Sequence, residues 1–225
     1  MSANDVWQPA FALLTSYRKH FQEGFATIVV GPAKKDFTIH KELLVFYSDY
    51  FRAALNGSFV EASDRKIELL DVEEDLFQNF HAWIYTRKLV SDHDEPLDIL
   101  ELINLWVFGD RFQVPMLQNC AIDEMFVKRN SDWFGLCVFK EAYKKTVVGS
   151  PLRKALIDLL AYRFYLGDNE DTRAMTIFCH RFYTVEILAD LVRELDAARK
   201  NNVPYSGSPK RDKCFFHVHG KDEHC

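Results

Sequence analysis

Four side chains near the C-terminus belong to the residue types that bind zinc. Cys214, His217, His219 and Cys225 form the pattern Cys-x2-His-x-His-x5-Cys. Tetrahedral zinc sites that combine cysteine and histidine are common, and in a β conformation His217 and His219 would point to the same side of the chain. The spacing matches no familiar zinc finger. A zinc site and a tail that carries these letters by chance are therefore both open interpretations.

The remainder of the sequence has no pattern typical of an enzyme. It contains no Gly-x-Ser-x-Gly elbow, no phosphate-binding glycine loop and no His-Glu-x-x-His pair. Only nine of the 225 residues are glycine, which leaves little backbone suited to holding a phosphate. We therefore predict a protein that is not an enzyme and that needs no cofactor other than the candidate zinc ion.

The composition is that of an ordinary globular protein. Hydrophobic residues make up 48% of the chain and charged residues 27%, and the net charge is −5. A negative charge gives no electrostatic reason to bind nucleic acid or an anionic membrane. No apolar run approaches the roughly 20 residues that cross a bilayer, and the start lacks a secretion signal. With an odd count of five cysteines, we expect free thiols and an intracellular location, cytoplasmic or nuclear.

Residues 25–57 are the most informative stretch. Apolar residues alternate before and after the turn-prone Gly31, which predicts a β-hairpin. The hydrophobic period changes to that of a helix at His40. Ser48 is a typical N-cap for a second helix, which we expect to end at Gly57.

The rest of the chain reads as one short strand followed by helices. A strand is expected at residues 67–69, and Asp71 with Glu74 has the spacing of a capping box that begins a helix. Residues 201–213 have linker composition. Further helical patterns cover residues 97–112, 116–127, 133–144, 150–164 and 184–200.

These patterns together resemble the BTB/POZ domain over about residues 20 to 127. The order and spacing of the matching pieces are specific, although no single piece is. The pieces are Phe37-x-Ile39-His40-Lys41, Ser48-x-Tyr50-Phe51-Arg52-Ala53, Ile67-x-Leu69, Trp83-Ile84-Tyr85-Thr86 and Asp110-Arg111-Phe112-Gln113-Val114-Pro115.

The resemblance implies an α+β fold with a small β-sheet flanked by a cluster of helices and followed by an all-helical extension. We expect an N-terminal helix at residues 1–22, the BTB/POZ domain at 23–127, the extension at 128–200 and a linker-like tail at 201–225. It implies a protein-protein interaction module with protein partners. Short stand-alone members of the family are frequent in fungi, so a fungal-like protein is expected.

The resemblance also suggests a cullin-binding motif. Family members that act as substrate adaptors for cullin ubiquitin ligases carry a hydrophobic-x-acidic motif in the connection after the second helix of the helical hairpin, and Phe59 and Glu61 match it. An aromatic side chain can fill a pocket on a partner while a carboxylate orients the complex. The alternative is that Phe59 only closes the core of its own domain.

An amphipathic helix is expected at residues 8–22. Phe11, Leu14, Tyr17 and Phe21 lie on its apolar side. In many family members a helix at this position crosses to a second subunit, so the resemblance implies a homodimer. The alternative is that the helix folds back on its own domain. The protein would then be either a cullin adaptor or a dimeric scaffold or regulatory protein with no ligase role.

The zinc interpretation predicts that purified protein holds about one zinc ion per chain. Metal analysis by mass spectrometry on protein purified without chelator would measure this. Protein with an intact tail that contains no zinc would end the proposal.

Overall fold

The structure, a computed structural model, describes residues 24–57, 60–91, 95–128, 137–166, 183–200 and 213–219. The chain divides into two compact units, Met1–Arg87 and Lys88–Cys225. No helix in the described part combines the length and apolar character that a membrane crossing requires. The domain boundaries expected from the sequence stay predictions.

The first unit is built on a three-stranded sheet with β1 in the middle. Its strands are β1 (Phe25–Val30), β2 (Lys35–His40) and β3 (Lys66–Leu69). Strand β1 pairs antiparallel with β2 and parallel with β3. Ala26, Ile28, Val29 and Val30 are all buried, so β1 has side chains covered on both faces. Gly31 has φ 71°, as a tight turn after β1 requires, and the predicted hairpin is confirmed.

Three helices connect β2 to β3. They are α1 (Lys41–Tyr47), α2 (Asp49–Asn56) and α3 (Val60–Asp64). The hydroxyl of Ser48 accepts a hydrogen bond of 3.0 Å from the backbone N–H of Phe51, which confirms Ser48 as the N-cap of α2. The fully buried Phe51 and the buried Leu55 hold α2 against the core.

Helix α4 (Glu74–Thr86) follows β3 and buries Phe77, Phe80, Trp83 and Ile84. Its N-cap is Glu73, without a side-chain cap, so the capping box predicted at Asp71 is wrong. The N–H of Val72 instead donates to the carbonyl of Leu69 at 3.2 Å. This turn places the side chain of Val72 in the core. The helix begins after the turn, at Glu74.

The regular secondary structure of the second unit, in its described residues, is helical apart from one isolated bridge between Val90 and Pro96. Its elements are α5 (Ile99–Arg111), α6 (Pro115–Val127), α7 (Cys137–Lys145), α8 (Pro151–Leu166), α9 (Val185–Lys200) and a 3-10 turn (Lys213–Phe215). Asp98 and Glu101 form a complete capping box at the start of α5. These helices confirm the α-helical patterns seen in the sequence.

A buried arginine joins α7 to α8. The guanidinium of Arg153 donates to the carbonyl of Tyr143 at 2.7 Å, to the hydroxyl of Thr146 at 3.0 Å and to the carbonyl of Thr146. It also lies over the Tyr143 ring, 4.3 Å from the ring centroid. A buried charge is tolerated only where its donors find partners, and here they are the last carbonyls of α7 and the connection after it.

Arg87 closes the first unit through both its backbone and its side chain. Its backbone has φ 61°, in the left-handed region, and its N–H donates to the carbonyl of Trp83 at 2.8 Å to end α4. Its guanidinium lies 3.6 Å from the Tyr47 ring centroid and 4.4 Å from that of Trp83. The same residue therefore caps one helix and attaches it to another.

We expect Arg87→Ala to lower the free energy of unfolding by about 1 to 2 kcal/mol, because the cation–π contacts are lost. Arg87→Gly loses the same contacts but relieves the left-handed backbone, so it should be more stable than Arg87→Ala by about 0.5 to 1 kcal/mol. Urea unfolding would measure both. Arg199→Ala, at a side chain 82% exposed, serves as the control, and equal stability of the alanine and glycine variants would contradict the backbone argument.

Candidate functional site

Helix α3 is a short exposed element at the position of the expected cullin motif. None of its residues is buried. Val60 is 70% exposed and Glu61 is also exposed. Phe59 lies outside the described residues, so its position in the core or on the surface stays a prediction. The described part of the motif presents an apolar side chain and a carboxylate to solvent.

Local backbone interactions explain why this exposed helix has a defined place. Gly57 ends α2, and Arg65, with φ 52°, turns the chain from α3 into β3. The carbonyl of Arg65 accepts a 2.8 Å hydrogen bond from the N–H of Thr27 in the central strand. Within α3, the Ser63 hydroxyl donates to the carbonyl of Val60 at 2.9 Å. The sheet therefore holds the end of α3 while its side chains remain in solvent.

A second exposed feature is an aromatic patch formed by Phe25, His40 and Tyr85. Phe25 is 51% exposed and its ring lies 4.4 Å from that of His40. The Tyr85 hydroxyl accepts from the backbone N–H of His40 at 3.1 Å and lies 3.0 Å from its Nδ1. Which of these two atoms donates depends on the tautomer of the His40 ring. Such a patch suits a protein interface because it is apolar yet has its polar atoms fixed.

His81 lies beside this patch on α4. Its ring meets those of Phe37 and Tyr85 edge-on, at 5.6 and 5.4 Å between centroids. Burial lowers the pKa of His81, because the charged ring is poorly solvated there, and a hydrogen bond with the Thr38 backbone acts in the opposite direction. His81 therefore supports the patch as a neutral ring.

The predicted dimerisation residues Phe11, Leu14, Tyr17 and Phe21 lie outside the described residues. Their place in the chain is directly before Gly24 and the exposed Phe25. Dimerisation through residues 8–22 stays a prediction.

The Cys/His group is described at three of its four positions. The His217 and His219 rings lie 6.1 Å apart, and Cys225 lies outside the described residues. The Nε2 of His217 lies 3.1 Å from the Oδ1 of Asp123. Cys214 is disulfide-bonded, which differs from the free thiols expected from the sequence. This arrangement does not fit zinc, because a ligating sulfur must be a free thiolate. Zinc stays a prediction for the reduced tail.

The pKa of Tyr143 is strongly raised where this residue makes a structural contact. Burial is the larger cause, and the 2.8 Å hydrogen bond that the Tyr143 hydroxyl donates to Asp190 raises its pKa further. The bond joins α7 to α9. A tyrosine held in its protonated form by a carboxylate is a donor that fixes two helices, and we assign it that role.

Comparison with known proteins identifies a domain in the first part of the chain. The family model for the BTB/POZ domain matches residues 18–124. Kelch repeat and BTB domain-containing protein 4 of Mus musculus is 30% identical over 119 residues, which is 49% of this chain and 22% of that protein. Kelch-like protein 40 of Xenopus tropicalis is 26% identical over 44% of this chain and 15% of that protein.

A solved structure, that of the BTB domain of human Gigaxonin, matches with 21% sequence identity and a TM-score of 0.38, over 55% of this chain and 95% of the other. This chain spans less than a quarter of the length of the curated relatives reported above. These relatives are vertebrate proteins, and the fungal-like origin stays a prediction. The strands and helices described above, with the match to the domain model, show an α+β BTB/POZ fold followed by a helical extension, so this chain carries a BTB/POZ domain at residues 18–124.

Proposed function

We propose that this chain is a substrate adaptor that recruits a cullin through the connection between α2 and β3. The observation that carries the proposal is the exposure of α3, which has no buried residue and places Val60 and Glu61 in solvent. This is where cullin-binding members of the family, as the sequence resemblance implies, carry a hydrophobic-x-acidic motif.

The chemistry of this surface suits a protein partner. An exposed apolar side chain such as Val60 gains free energy when a partner removes it from water. A carboxylate at the rim, as Glu61 would be, steers the encounter and disfavours wrong partners. Phe59 would add an aromatic anchor if its ring is exposed. Because α3 is attached through its backbone to the sheet, binding there needs no reordering of the first unit.

The helical extension is the part available for a second partner. An adaptor must hold its substrate at a surface other than the one that meets the cullin. Helix α9 carries the exposed apolar residues Val185, Leu188 and Val192, which supports a binding role for residues 137–200. This function requires no catalytic group, and it would place the protein in the cytoplasm or nucleus.

We expect Phe59→Ala combined with Glu61→Ala to reduce cullin capture at least about tenfold, since truncation of central interface residues often costs 2 kcal/mol or more. Tagged protein would be captured from its own cells and the cullins quantified by mass spectrometry. Glu61→Ala alone should leave the free energy of unfolding within about 0.5 kcal/mol of the original value, because Glu61 is exposed.

Glu68→Ala is the matched control, because Glu68 is also an exposed glutamate and lies on β3 rather than on α3. Undiminished capture by the double variant would end the adaptor proposal. If the double variant loses its cooperative melting transition while Glu61→Ala keeps it, Phe59 belongs to the core.

The second candidate is a self-associating scaffold, which the exposed Phe25 patch favours. Phe25 and Tyr85 are 51% and 45% exposed, and Phe25 follows the predicted amphipathic helix in the chain. A second copy that brought its own residues 8–22 to this place would cover both aromatic rings.

In that case light scattering should give twice the mass of a single chain. Leu14→Glu, on the apolar side of the predicted helix, should return it to the mass of one chain, because a buried carboxylate is costly. Ser16→Glu adds the same charge on the other side of that helix and should leave the dimer intact. A dimer that tolerates Leu14→Glu would exclude residues 8–22 from the interface.

A further inference from the structure

The chain's own tail covers one face of α6. Asn119, Asp123 and Phe126 are four and three positions apart, so they line one side of the helix over about 10 Å. The Phe216 ring lies 5.1 Å from that of Phe126, and Phe216 is buried. His217 contacts Asp123 next to it. We define these three residues of α6 as the α6 face.

The side-chain amide of Asn119 binds the backbone of the tail. Its amide nitrogen donates to the carbonyl of Val218 at 3.0 Å, and its amide oxygen accepts from the N–H of the same residue at 2.7 Å. These are the two bonds that a neighbouring β-strand would make with an extended residue. Such recognition accepts any extended peptide, whatever its side chain at this position.

Selectivity comes from the two residues that precede Val218 in the tail. Phe216 supplies an aromatic ring to Phe126, and His217 supplies a ring nitrogen to the carboxylate of Asp123. Aromatic pairs contribute beyond the area they bury, and a carboxylate favours a ring that can donate to it. The α6 face therefore selects the sequence Phe-His followed by an extended residue.

Helix α6 needs a cover on this side. Leu117, Ala121 and Met125 are buried along it, and Phe126 adds an aromatic ring on the side that the tail covers. A helix with apolar residues around most of its circumference is stable only when it is covered on more than one side. An uncovered α6 face would thus attract another apolar segment.

The tail has the properties of a tethered ligand. Residues 201–212, between α9 and the 3-10 turn, include Asn, Pro, Gly and Ser of linker composition and could extend over about 40 Å. A ligand joined to its site by a linker of this length has an effective concentration on the order of 1 mM. A tethered occupant of this kind competes with any free peptide that fits the same face.

We propose that the α6 face is a peptide-binding site for extended segments with the sequence Phe-His-x, and that, once the disulfide of Cys214 is reduced, the tail is a built-in occupant which a partner peptide of that chemistry displaces. The site uses no residue of α3 or of the aromatic patch, so the proposal stands whether or not the chain binds a cullin.

The test uses a fluorescent peptide with the sequence of residues 213–219, in which serine replaces Cys214. Its binding to the full chain is followed by fluorescence anisotropy, with reductant and chelator present. We expect the full chain carrying Phe216→Ser to bind the peptide at least about tenfold more tightly than the unaltered chain, because its tail no longer competes. Adding Asn119→Ala to that variant should remove the binding.

Phe215→Ser is the matched control. Phe215 is 54% exposed whereas its neighbour Phe216 is 4% exposed, so the Phe215→Ser chain should bind the peptide as weakly as the unaltered chain. His217→Ala provides a second, milder release of the tail. A peptide with serine at position 216 should not bind.

Equal peptide affinity in the unaltered and Phe216→Ser chains would overturn the proposal, and so would binding that survives Asn119→Ala. Loss of the cooperative melting transition in both Phe216→Ser and His217→Ala would overturn it as well. In that case the tail would be a permanent part of the fold rather than an exchangeable ligand.

Discussion

Strand β1 is hydrogen-bonded along both of its edges, and the arrangement of the first unit depends on this double pairing. Its antiparallel partner β2 follows after a tight turn at Gly31, but its parallel partner β3 cannot. Parallel neighbours require a long crossover connection. Residues 41–65 form that crossover as α1, α2 and α3. The candidate cullin surface is the last and least buried part of this connection.

The second unit is organised differently, through polar groups that join helices. Arg153 links the end of α7 to the start of α8, and Tyr143 links α7 to Asp190 on α9. Asn119 and Asp123 hold the tail on α6. In each case a polar side chain on one element binds a group on another. We infer that these polar contacts determine which helices meet.

Much of the fold could be predicted because its signals are local. The alternation in β1 and β2, the N-cap at Ser48 and the helical periods from residue 97 onward all depend on neighbours within a few positions. The left-handed backbone at Arg65 and Arg87 could not be predicted, since glycine or asparagine normally marks such positions. Asp71 and Glu74 have the spacing of a capping box, but the chain forms a turn at Val72, which is buried, and α4 begins only at Glu74.

The candidate sites were less predictable than the fold, because they depend on contacts between distant residues. Glu61 was identified through resemblance, and its exposure follows from a backbone bond between Arg65 and Thr27. The contact between Phe216 and Phe126 had only a weak signal, an apolar pair of residues after a linker. His217, one of the residues expected to bind zinc, lies beside Asp123, which no local pattern indicated.

The backbone contact of Asn119 has a consequence for variation among related sequences. Since this amide binds the main-chain N–H and C=O of Val218 rather than its side chain, residue 218 can change to almost any amino acid without weakening that contact. Proline is the exception, because it lacks the N–H group. Relatives that keep the same docking would therefore vary freely at position 218 while retaining the aromatic ring, the imidazole and their counterparts on α6.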